Sequence, residues 1–72
     1  MLELTDRHVE ARTMTDLAGV YARHGSLQTA IACYERGLVA LRDIGEHHAE
    51  ARALRELSAV RELASLQAAA RS

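Results

Sequence analysis

Apolar positions recur along this chain with the spacing of an α-helix, in three blocks separated by two glycines. In the first block Met14, Leu17, Ala18 and Tyr21 fall at i, i+3, i+4 and i+7, on one face of a helix. The second block carries Leu27, Ala30, Ile31, Tyr34, Gly37, Leu38 and Leu41. At about 100° per residue these span roughly a third of the circumference. Gln28, Glu35, Arg36 and Asp43 occupy the opposite side. In the third block Leu54, Leu57, Ser58 and Arg61 stand where the first has Met14, Leu17, Ala18 and Tyr21. The pattern predicts an all-α chain, one domain over 1–72, with helices over 6–24, 27–44 and 47–70. The core expected from it is Leu17, Tyr21, Ala30, Tyr34, Leu38, Leu41, Leu54 and Leu57.

The boundaries follow from end chemistry. Thr5 or Asp6 can cap the first helix and Ser26 the second, because a short polar side chain can accept from an orphan N–H. Gly25 and Gly45 stop the first two helices, since glycine takes the left-handed conformation after a helix without penalty. Only Gly25 and Ser26 lie between helices one and two, so these fold back as an antiparallel hairpin. Helix three meets Ser65 where helix one meets Gly25, and no Gly or Pro follows. It is read as one long helix. A break at Ser65, capping the stub of a fourth helix, is the lesser alternative.

The chain also repeats itself. HVEARTMTDLAGV at residues 8–20 is answered by HAEARALRELSAV at residues 48–60, an offset of forty. His8/His48, Glu10/Glu50, Ala11/Ala51, Arg12/Arg52, Leu17/Leu57, Val20/Val60 and Ala30/Ala70 are identical pairs. Such a period marks a solenoid, whose units cannot each bury an apolar face alone. MLEL at the start aligns with LRDI at Leu41–Ile44, so the chain is expected to be a piece of a longer array.

Met14-x2-Leu17-Ala18-x2-Tyr21, then Ala30-x3-Tyr34, resembles the tetratricopeptide repeat. The resemblance covers one helix pair and the first helix of a second. The usual repeat has 34 residues. The extra ones here fall around ALRDIGEHHAEAR, a junction similar to those of kinesin light chains and of the C-terminal arrays of bacterial signal-transduction regulators. Met14 and Leu54 replace the preferred Trp, Arg61 an aromatic, and Arg42 the closing proline. Gly37 stands where Ala is usual, which weakens helix two slightly. The resemblance implies an α-solenoid fragment whose first helices line a groove for an extended peptide. Carried over, that groove is Arg12, Thr15, Gly19 and Arg23, with Arg52, Arg55, Ala59 and Glu62. Arginines suit carboxylate partners. The plainer alternative has Arg12–Asp16 and Arg52–Glu56 as exposed i,i+4 pairs. Thr15, Gly19 and Ala59 do not match a basic carboxylate clamp, so chaperone C-terminal tails are not the expected ligand.

Composition narrows the remaining classes. With 72 residues a lone core is marginal, and one cysteine excludes an intrachain disulfide. A formal charge of −1 gives no reason to expect nucleic acid or an anionic membrane. No apolar run approaches the roughly 20 residues of a membrane span, and no basic segment leads an apolar one at the start. Cys33 as a free thiol suits a reducing, cytoplasmic setting. His47 and His48 are adjacent and diverge on a helix, and a zinc site needs three or four converging ligands, so no metal or other cofactor is expected. Cys33 has no histidine at a legible spacing, and no catalytic residue is assigned.

The expected role is therefore protein–protein interaction, with a protein or peptide partner. Leu54, Leu57, Val60, Leu63 and Leu66 spread too widely around helix three for one hairpin to cover. Leu54, Val60, Leu63 and Leu66 are expected to drive self-association into a homodimer. The alternative is a purely structural oligomerisation fragment of a longer array.

Overall fold

The computed structural model describes residues 4–71, all in helices or the turns between them. Helix α1 is Leu4–Arg23, α2 is Leu27–Asp43 and α3 is His47–Arg71. The opening Met1–Glu3, which carries most of the MLEL correspondence, lies outside the described residues. Helix α1 begins before Thr5 and Asp6, so neither is its cap; Asp6 instead sits in the first turn, where a negative charge favours the helix dipole. Helix α3 runs through Ser65 without a break.

The two turns close in the same way. Gly25 and Gly45 have φ of +83° and +73°. Ser26 N–H donates to Tyr21 C=O and Gly25 N–H to Ala22 C=O; Glu46 N–H donates to Leu41 C=O and Gly45 N–H to Arg42 C=O. Each pair of bonds is a Schellman closure, which satisfies the carbonyls left over at a helix end. Ser26 occupies the N-cap position of α2, yet its side chain makes no capping bond, because its ψ of 68° leaves the extended region that swings the hydroxyl over the first amides.

Helix α2 is central: it packs on both α1 and α3. Its two contact sectors differ in size. Gly37 meets Met14 and Thr15 of α1, and the buried α1 residues are Ala11 and Ala18. Toward α3 it presents Tyr34, whose hydroxyl reaches Glu56. The buried core is Ala11, Ala18, Leu27, Ala30, Tyr34, Leu38, Ala40, Leu41, Ala53, Leu57 and Val60. At α1–α2 the small residues Ala11, Ala18 and Gly37 allow a close approach.

Equivalent positions of α1 and α3 are used in opposite ways. Leu57 is 3 % exposed and Val60 8 %, whereas Leu17 is 38 % and Val20 40 %. Ala11 and Ala18 are buried, whereas Ala51 and Ser58 are exposed. The reason is topological. Helix α1 meets α2 with the face of Ala11, Thr15 and Ala18, and α3 meets it with the face of Ala53, Leu57 and Val60. So Leu17, Tyr21 and Leu54, expected in the core, stand at its edge, more than a third exposed.

Two predictions follow from this packing. Leu57→Ala should cost about 2–5 kcal/mol, while Leu17→Ala should cost no more than about half as much, since part of that side chain already meets water. Chemical denaturation of both variants checks the contrast. At Gly37 an added methyl would stand 2.9 Å from Thr15 Cγ2 and 3.4 Å from Met14 Cβ. The glycine weakens the helix as expected, but it also makes the close approach possible. Thr15 cannot rotate its methyl away without moving the hydroxyl that donates to Ala11 and Arg12 C=O. Overpacking of about 1–3 kcal/mol should therefore match or exceed the roughly 1 kcal/mol of helix propensity gained in Gly37→Ala. With Thr15→Ser the methyl is gone and the hydroxyl kept, so the same change should become stabilising.

Candidate functional site

A cleft of about 620 Å³ opens between α1 and α3 over the end of α2. Leu41 of α2 and Ile44 just after that helix form its floor, with Ala11 on one side and Ala49 and Ala53 on the other. Its walls are polar. Helix α1 contributes His8, Arg12, Thr15 and Asp16, and Glu46 leads into α3 with Arg52 and Glu56. The α1 residues 8, 11, 12, 15 and 16 share one helical face, which is why they arrive together.

Of the groove residues expected from the sequence, Arg12, Thr15 and Arg52 line this cleft, and Arg23, Arg55 and Glu62 do not. Arg55 and Glu62 correspond at the forty-residue offset to Thr15 and Ala22, which lie on or beside the face that α1 turns to α2. Helix α3 turns the opposite face to α2, so its Arg55 and Glu62 are exposed away from the hairpin. Arg23 sits in the last turn of α1, within electrostatic reach of Tyr34. Gly19 and Ala59 are also outside the lining. His8, Asp16, Glu46 and Glu56 are the polar members missed. The legible signal for Asp16 and Glu56 is the repeated pattern of an arginine followed four residues later by an acid.

That pattern does not form ion pairs. Among the described residues the ion pairs are Arg7 with Glu10 and Asp43, Arg36 with Glu10, Arg42 with Glu50 and Arg61 with Glu35. Neither Arg12–Asp16 nor Arg52–Glu56 is among them. Arg12 and Arg52 are left with their donors open to the cleft. Glu56 turns one oxygen to Tyr34, which donates its O–H to Oε1 at 3.2 Å. Of the residues expected to drive self-association, Val60 is spent on the chain's own core, while Leu54, Leu63 and Leu66 are exposed. The last two turns of α3, from Ser65 on, run beyond the hairpin and bury nothing. Cys33 is half-buried against the core. Among the described residues no three His, Cys, Asp or Glu side chains gather as metal ligands, and no helix is long and apolar enough to cross a membrane.

No protein-family model, curated protein or solved structure matches the chain. The cleft combines an apolar floor, the guanidinium groups of Arg12 and Arg52, which are in no ion pair among the described residues, and the carboxylates of Asp16, Glu46 and Glu56.

Tyr34 offers a probe of the α2–α3 side of that groove. Burial raises its pKa above the ordinary tyrosine value, the charge and hydrogen bond of Glu56 raise it further, and Arg23 opposes them. The folded chain thus holds this proton more tightly than the unfolded chain. The stability so gained is complete below about pH 10 and is lost as pH climbs through the folded pKa. In a Tyr21→Phe background, where one tyrosine reports, ultraviolet titration should show Tyr34 ionising late. Glu56→Gln should bring it down without fully restoring the ordinary value, since burial remains the largest cause. An unchanged titration would mean that the Tyr34–Glu56 bond does not form.

Proposed function

We propose that this chain is a protein–protein interaction module of the tetratricopeptide-repeat kind, a helical hairpin followed by the first helix of the next. The observation that carries the reading is the opposite use of equivalent faces on α1 and α3. Leu17 and Val20 are exposed where Leu57 and Val60 hold α2. Ala51 and Ser58 are exposed where Ala11 and Ala18 hold α2. Each end of the chain thus presents a face whose counterpart elsewhere in the same chain binds a helix. Units of this kind need about three repeats for independent stability, which gives both faces a reason to be covered. Within the cleft, Arg12, Thr15 and Arg52 are the proposed partner-binding residues. Catalysis has no place in the reading, and neither has a cofactor.

Self-association into a homodimer is the second reading, favoured by the exposure of Leu54, Leu63 and Leu66 on α3. Native mass by light scattering separates the two. A mass near twice 7.9 kDa, falling to one chain in Leu54→Ser/Leu63→Ser/Leu66→Ser with helicity retained, is the result expected of a dimer. A synthetic peptide of residues 26–44, the chain's own α2, tests the end faces directly. Nuclear magnetic resonance should show saturable shifts at Leu17 and Val20 or at Ala51 and Leu54. A monomeric mass with no shift at either end would sink both self-association and binding through the end faces.

A further inference from the structure

The two helices flanking the cleft run in the same direction, because one antiparallel helix separates them. The repeat therefore sets equal charges against each other. Arg12 and Arg52 line the cleft from equivalent turns, and Asp16 and Glu56 do so one turn further on. Within the cleft these make a positive tier followed by a negative one, and His8 and Glu46 line it on the other side of the arginines. Neither arginine is in an ion pair among the described residues, so both donor sets are open. Like charges at one level repel, and the repulsion is relieved by an opposite charge placed between them. Four residues of helix separate the tiers, a rise of about 6 Å. In an extended peptide, side chains on one face recur every two residues, about 6.6 Å apart.

We infer that the cleft binds an extended peptide segment of alternating charge, with a carboxylate side chain between Arg12 and Arg52 and a basic side chain two residues away between Asp16 and Glu56. This rests on the interaction-module reading and names the partner chemistry of its cleft. A purely acidic segment satisfies the arginines but sets its next carboxylate against Asp16 and Glu56. A purely basic one does the reverse. Only alternation on one face meets both tiers. The floor of Leu41 and Ile44 adds no competing charge.

Three capped, fluorescently labelled peptides of equal length test this by anisotropy at low salt. The first repeats Ser-Glu-Ser-Lys, with both charges on one face. The second repeats Ser-Ser-Glu-Lys, the same composition with the charges on opposite faces. The third repeats Ser-Glu. The first should bind about tenfold more tightly than either of the others, which corresponds to one or two partly exposed charge pairs. Arg12→Gln/Arg52→Gln should remove that preference while circular dichroism stays unchanged. Asp16→Asn should weaken the first peptide and strengthen the third. Equal binding of the first and third peptides at the cleft would overturn the alternation and leave the interaction reading standing. So would a preference that survives the arginine changes. Binding of none would overturn the inference whatever the native mass; with a monomeric mass and inert end faces it would remove the interaction reading as well.

Discussion

Helix α2 buries residues toward two neighbours at once, and those neighbours have little else to lean on. That constraint divides its surface. The sector toward α1 holds Gly37, set against Met14 and Thr15 across the interface, and it lets two backbones come close. The sector toward α3 holds the bulk of Tyr34 and takes Leu57 and Val60 in return. The ion pairs divide in the same way: Arg36 and Asp43 reach Glu10 and Arg7 of α1, while Glu35 and Arg42 reach Arg61 and Glu50 of α3. Exposed pairs of this sort contribute little to stability, at most about 1 kcal/mol each. Their orderly segregation suits a role in register, telling each flanking helix which side of α2 is its own.

The elements were legible because their ends are chemical. Gly25 and Gly45 mark two turns closed by the same pair of Schellman bonds, and the lack of any glycine after Gly45 foretold an unbroken α3. The interior was harder to read. Period 3.6 tells which residues share a face, but Leu17 and Leu57 share the same signal and only Leu57 is buried. Alanine gave the opposite error. Ala11, Ala40 and Ala53 are buried, yet so small a side chain hardly registers against a background rich in alanine. The groove was half legible. Arg12 and Arg52 stand out by recurrence, whereas Arg55 and Glu62 were carried over onto a helix whose orientation about its axis the sequence does not state.

The polarity of the cleft has the same origin. Two helices in direct contact would need apolar or small residues along their seam, and charged tiers of equal sign would be excluded from it. Here α2 props α1 and α3 apart at that level, and the walls remain in water, where like charges at one height are tolerable. Duplicating a helix by sequence repetition duplicates its charges as well. A groove between repeated helices inherits layered charge unless the copies diverge, and at these positions they have diverged only from aspartate to glutamate.

The floor of Leu41 and Ile44 has a mechanical side. Since α1 and α3 meet mainly through α2, the width of the gap between them is a matter of side-chain volume on a third helix. A bulkier or slimmer residue at position 41 or 44 acts as a shim, spreading or narrowing the jaws without altering any group that lines the walls. Aperture and chemistry are thus separable in this small scaffold. Selection, or an engineer, could change the width of the groove by adjusting residues that carry none of its charge.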